Sequence, residues 1–236
     1  MLFAATGVQK WCWVVAISAA FAFAGPVAGA GKAANVFKAP LSAEAKPALQ
    51  QSLSVLTNSQ LTLGSFKQTR TIKKLNREFV STGSFAIDRD AGILWDTQKP
   101  FASVMLVGDN SIVQWDAARD VKKTMSAKDN PVFAEFSKTI QSVFSGKFDE
   151  LERNFKIYFE KKGDVFSIGL VPKEKAVANV IGSIVLEGRS ELEKVTIVDG
   201  EENPVVYEFT QHRHFANLES VDTSLADLAR KFQKLK

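Results

Sequence analysis

Apolar and polar positions alternate along most of the chain, and helical spacing replaces the alternation in three places. The segments LTLGSFKQTRTI (61–72), EFVSTGSFAID (78–88), GILWDTQ (92–98), FASVMLVGD (101–109), SIVQWDA (111–117) and DVKKTMSA (120–127) are short, rich in β-branched and aromatic residues, and bounded by turn formers. Too little chain separates them for helical crossovers, so they predict an antiparallel meander. Five more strand patterns follow in FKIYFEKK (155–162), DVFSIGLVPK (164–173), GSIVLEGR (182–189), LEKVTIVDG (192–200) and PVVYEFTQHRHF (204–215), with Gly163, Gly188 and Gly200 near the turns.

The three helical patterns differ in character. Ser42 caps the first, which carries Leu49, Leu53 and Leu56 at helical spacing and holds Pro47 in its opening turns, where proline is tolerated. In the second, Asn130 caps, Pro131 takes the first helical position, and Phe133, Phe136, Ile140, Val143 and Phe144 share one face before Gly146. Glu150 to Arg153 fit a short further turn. The third, SLADLARKFQKLK (224–236), is basic and amphipathic, with Leu225, Leu228, Ala229 and Phe232 together. About eleven strands and three helices give a mainly β (α+β) chain, with residues 41–236 as a single domain and no internal repeat.

Composition sharpens this picture. The chain has 236 residues, 45% of them hydrophobic, which suffices for one sizeable core. Eighteen phenylalanines stand against two tyrosines, so its aromatic surface is greasy and short of polar handles. Residues 1–30 read as a leader: WCWVVAISAAFAFA is an apolar run behind Lys10, and Ala28-Gly29-Ala30 forms a small-residue cleavage site. The run is shorter than the roughly 20 residues of a spanning helix. Cleavage after Ala30 removes Cys12, the one cysteine, and leaves residues 31–40 (GKAANVFKAP) as a small, aperiodic, flexible lead-in. The mature chain is expected to be a soluble export. No disulfide or Cys nucleophile is then expected. Formal charge is +4 for the whole chain, and losing Lys10 reduces it to +3. Such an excess is too slight to point to nucleic acid.

Candidate chemistry is sparse. His212 and His214 lie two apart and could face one metal, but no third ligand accompanies them, and a solvated polar strand end explains them better. There is no G-x-S-x-G elbow and no phosphate-binding G-x-x-x-x-G-K-[ST] loop. Asp88, Asp90 and Asp96 could supply an acid and a base, yet Asp88 and Asp90 flank a turn in the manner of ordinary Asx turns. We expect no enzyme, no cofactor and no metal. What stands out is an apolar strand face with Phe85 and Ile87, continued by Ile93 and Trp95, and closed at its rim by Arg89. Arg89 has two readings from pattern alone: a latch whose donors reach the free carbonyls of a covering helix, or a turn arginine paired with Asp88 or Asp90 in water.

These residues carry a likeness. SFKQTR, GSFAIDRDAGILWDTQKP, LVGDNSIVQWD, the helix beginning NPVFAEF, and FSIGLVPK together resemble the LolA-type periplasmic carriers of outer-membrane lipoproteins, from about Leu61 to Lys173. The most specific elements are Phe66 and Gln68 of an F-x-Q pair, Gly83, the spacing of Arg89 to Trp95, and Pro100. The resemblance implies an incomplete antiparallel barrel of eleven strands closed by helices over a cavity for acyl chains. It further implies that Arg89 bonds the lid and that Trp95 lines the cavity. On this reading Phe66, Phe85, Ile87, Ile93, Trp95 and Met105 form the sheet wall, and Phe133, Phe136, Ile140 and Phe144 the lid, although any of the apolar residues also suits plain core. The expected cargo is an acylated protein or lipid, the donor an inner-membrane transporter, the acceptor an outer-membrane protein, and the chain a monomer. Departures from the family pattern, with Asp90 for a proline, GDN for an Asp-Gly turn and a helix near Leu225 to Leu235 for the usual tail, leave room for a paralogue with another lipid. A lipid-sensing regulatory module on the same fold is the alternative, and a filled core without a cavity is a third reading.

Overall fold

The computed structural model describes residues 35–57, 59–108, 111–116, 118–126, 142 and 147–236. The leader and the residues Phe133, Phe136, Ile140 and Phe144 therefore lie outside the described residues.

All eleven strand patterns fold as strands. They are β1 (Leu61–Ile72), β2 (Arg77–Asp88), β3 (Gly92–Lys99), β4 (Ser103–Val107), β5 (Ser111–Asp116), β6 (Val121–Ser126), β7 (Phe155–Lys162), β8 (Val165–Pro172), β9 (Ile181–Gly188), β10 (Leu192–Asp199) and β11 (Pro204–Phe215). They build one antiparallel sheet in the order β6-β5-β4-β3-β2-β1-β11-β10-β9-β8-β7. Two meanders thus meet where the first strand pairs with the last, and β6 and β7 remain at opposite edges. The sheet is not closed into a barrel.

Among the described residues four α-helices accompany it: α1 (Lys46–Thr57), α2 (Phe148–Asn154), α3 (Lys175–Ala178) and α4 (Ala226–Leu235). The helical spacing after Ser42 becomes regular helix only at Lys46. Residues before it form a turn in which the Ala45 amide donates to Ser42 Oγ at 3.3 Å. Leu49 and Leu53 of α1 pack on one face of the sheet, which we term inner, against a cluster that includes Phe66, Phe85, Ile93, Phe159, Ile184 and Phe209. On the outer face Leu228, Phe232 and Leu235 of α4 cover Leu61, Leu63, Ala86, Leu94, Val104 and Leu106. Strict alternation in β1 thus serves two cores, with Leu61 and Leu63 facing out and Phe66 facing in.

The lead-in read as flexible has a structural role from residue 35 onward. Val36 is fully buried, and residues 39 to 41 run along the edge of β7, with Leu41 N–H donating to Ile157 O at 3.0 Å and Phe159 N–H to Ala39 O at 3.0 Å. These bonds cover part of an edge that would otherwise present free backbone groups. At the other edge, Lys122 and Lys123 stand exposed on β6, which discourages pairing with a further strand.

Candidate functional site

Phe66, Phe85, Ile87, Ile93, Trp95 and Met105 share the inner face, because register puts them there. Ile87 pairs with Ile93, Phe85 with Trp95, and Trp95 in turn with Met105. Phe66 pairs with Gly83 on one side and with Phe209 on the other. Glycine is a steric necessity at two positions here, Gly83 and Gly64. A Cβ on Gly83 would collide with the Asp96 carbonyl oxygen, and one on Gly64 would lie 2.6 Å from the Phe85 ring.

The rings meet across several strands. Trp95 on β3 lies edge-on to Phe66 on β1, with centroids 5.0 Å apart, and reaches Tyr207 on β11, also at 5.0 Å. Phe85 meets Phe209 edge-on at 5.1 Å. Strands β3 and β11 are three positions apart, about 14 Å at normal strand spacing. Rings in contact over that span show that the sheet curls towards its inner face. The Phe66, Trp95, Met105 and Tyr207 side chains there border a small pocket of about 20 Å³, whose polar lining is Gln68, Thr97 and Ser103. Gln68 is 5% exposed, and its Nε2 has no hydrogen-bond partner among the described residues. Burial pushes the Tyr207 phenol far above its ordinary pKa, with Arg70 opposing, so its hydroxyl stays protonated.

Arg89 sits differently from its place in the sequence pattern. Strand β2 ends at Asp88, and Arg89 stands exposed in the turn that follows rather than on the apolar strand face. The cause is Asp88, whose buried Oδ1 accepts the Asp90 and Ala91 amides, each at 2.9 Å, in an Asx turn. Gln60 reinforces it by donating Nε2 to Asp90 Oδ2 at 3.0 Å. The Arg89 amide donates to Gln60 O at 3.1 Å, and its guanidinium has no hydrogen bond or ion pair among the described residues. The turn pairing is therefore absent among them, and the segment read as the lid, which a latch would reach, lies largely outside the described residues.

His212 and His214 share the inner face, in keeping with their spacing of two, but make separate contacts. A bulge in β11, with Gln211 in the left-handed region at φ 56°, leaves Gln211 and His212 opposite Gly64. The bulge keeps both His212 and the preceding Phe209 on the inner face, and His212 packs edge-on to Phe85 with centroids 5.7 Å apart. His214 instead bonds Glu191 at 2.6 Å and Thr62 at 3.1 Å. No cluster of three or more residues suited to a metal occurs among the described residues. Nor is any described helix long and apolar enough to cross a membrane.

Sequence reading passed over Tyr207, Phe209 and Gln68 as parts of this wall. The period-two run of Val205, Tyr207 and Phe209 was visible, but the pairing of β11 with β1, which brings these rings against Phe66, was not.

Residues 57–220 match the family described as Outer membrane lipoprotein carrier protein LolA, which is well over half of the chain. The chain belongs to the LolA family. Likeness to solved structures extends over most of this LolA-family chain at low identity. One is a domain of a proposed outer membrane lipoprotein-sorting protein from Vibrio parahaemolyticus, 10% identical, covering 84% of this chain and 100% of its own, at a TM-score of 0.40. Another is a LolA superfamily protein from Nitrosomonas europaea, 6% identical, covering 77% and 96% respectively, at 0.43. A third is a DUF1329 family protein from Desulfovibrio piger, 9% identical, covering 82% and 98%, at 0.44. No curated protein is significantly similar in sequence. The family match runs past Lys173 through β10 and β11, so the LolA pattern spans both meanders and the seam between them. The family is one of lipoprotein carriers.

Proposed function

We propose that this chain is a periplasmic carrier that takes up the acyl chains of lipoproteins, or of a related lipid, on its inner face and shuttles them from the inner to the outer membrane. The observation that supports this reading best is the ring cluster of Phe66, Phe85, Trp95, Tyr207 and Phe209, gathered from four strands beside a pocket with a mostly apolar wall.

The energetics suit a carrier. Sheltering acyl chain contributes roughly 0.8 kcal/mol per CH₂, so a sixteen-carbon chain alone would supply about 12 kcal/mol, too much for ready release. The ring cluster opposes this. A pocket of about 20 Å³ has room for about one water. A chain therefore enters by parting Trp95 and Met105 from Phe66 and Tyr207, and each aromatic contact given up costs about 0.5–1.5 kcal/mol. The helix patterned on Phe133, Phe136, Ile140 and Phe144 serves as lid in this scheme, and Arg89 as its latch. Cargo arrives from an inner-membrane transporter and leaves to an outer-membrane acceptor.

Native mass spectrometry of the protein purified from its own periplasm tests the proposal. An adduct that extraction identifies as an acylated polypeptide or lipid is the expected result. An apo mass, together with no uptake of added fatty acid, would overturn it in favour of a filled core.

A further inference from the structure

The inner face of β1 carries two polar groups that have no partner among the described residues. Gln68 is buried with Nε2 unbonded, and the Nε of Arg70, next on the same face, is likewise buried without an acceptor. Buried donors in native proteins nearly always find an acceptor, and each one left alone is destabilising. Here two unmet donors occupy consecutive inner-face positions of one strand. Gln68 pairs in register with Tyr207 on β11 and Ser81 on β2, and Arg70 with Val205 and Phe79, so no carboxylate faces either from a neighbouring strand. Both atoms donate, so the missing partner is a hydrogen-bond acceptor, a role that a carbonyl oxygen fills well.

Along β1 the inner face runs Gly64, Phe66, Gln68, Arg70. It begins under the Phe85 ring and becomes polar two residues past Phe66. Thr97 and Ser103 line the pocket with Gln68 on strands β3 and β4.

We propose that Gln68, supported by Arg70, is a subsite that receives the carbonyl oxygen at the head of a bound acyl chain, an ester or an amide, and so fixes the direction in which the chain lies. This rests on the carrier reading. The methyl end then points towards Phe85 and Ile93, and the carbonyl end towards Arg70. Gln68 selects acyl-linked cargo over hydrocarbon of equal length, because a ligand without a carbonyl leaves the buried donor unmet.

Titration of the mature protein with dioctanoylglycerol and with its di-ether analogue, followed by tryptophan fluorescence, tests the subsite. The ester is expected to bind about fivefold more tightly than the ether, the worth of one hydrogen bond. In Gln68→Leu that preference is expected to vanish through loss of ester affinity while ether binding is kept, and Tm is expected to rise because an unmet donor is gone. An N-octanoyl peptide in the same series separates the two carbonyl sources: tighter binding than the diacylglycerol assigns the subsite to an amide, and weaker binding to an ester. Equal binding of ester and ether by the wild type would overturn the subsite alone, as would a preference that persists in Gln68→Leu. Binding of none of the three ligands would overturn the carrier reading, and the subsite with it.

Discussion

Arg89 illustrates how one neighbour decides the setting of a side chain. Asp88 turns the backbone by accepting two amides, and Arg89 is carried off the strand face into solvent. Because its side chain packs against none of the cores described, Arg89→Leu is expected to leave stability within about 0.5 kcal/mol of wild type in urea unfolding. Cargo hand-over to an acceptor, measured in the same preparation, is expected to slow. Transfer at the wild-type rate would remove Arg89 from the latch. His212 is a second residue with a legible consequence. Burial against Phe85 holds its imidazole below the ordinary pKa, although Glu191 and Glu193 pull the other way and His214 adds to the fall. The folded protein thus binds fewer protons there than the unfolded chain does. The stability this lends is full above the ordinary histidine value of about 6.5 and is lost as pH falls through the folded-state pKa. The urea midpoint is expected to drop between about pH 7 and about pH 5, and to drop less in His212→Gln. Equal slopes for the two proteins would assign the acid sensitivity elsewhere.

At the scale of elements, α4 is the piece whose removal should be felt most. Phe232 is fully buried against the outer face, and Lys231 donates to Asp96 at 2.7 Å and to Asp227 at 3.0 Å. Burial pulls the Lys231 pKa down, but the two carboxylates more than offset it and leave it above the ordinary lysine value. Its contribution is therefore complete at neutral pH and fades only as pH rises through that folded-state pKa, in the alkaline range. Phe232→Ala is expected to cost about 3–5 kcal/mol, read as a shift in the urea midpoint. A loss under about 1 kcal/mol would mean that the outer face holds together without α4. The elements themselves were largely legible in the sequence. Strands β1, β7 and β11 begin and end where their alternation does, since each is bounded by turn formers. The basic pattern of α4 showed an apolar stripe, yet only the fold reveals that the stripe covers a second core. Short α3 has too few residues for a period to be read, and residues 39 to 41 show no alternation because they pair on one side only.

For the molecule as a whole, Phe85 with Ile87 and Ile93 with Trp95 could be put on one face from period two, because parity within a strand survives uncertainty in its ends, whereas Phe66 and Met105 joined that wall only through the family resemblance. The contribution of β11 could not be read from parity, because which strands become neighbours is a property of topology. Likewise the bulge at Gln211 reverses the facing of His212, a single-residue event that no alternation announces.

The seam between β1 and β11 has a consequence for how the protein comes into being. Ser65 and Gln211, whose side chains bond across it, are 146 positions apart. Each meander can zip up through neighbouring hairpins, but the seam forms only after a loop of that size closes, an entropic cost met before any contact repays it. A chain emerging amino end first therefore holds β1 with a bare edge and a half-covered aromatic face until its last strand arrives. For a protein built to shelter greasy cargo, the first greasy surface in need of shelter is its own.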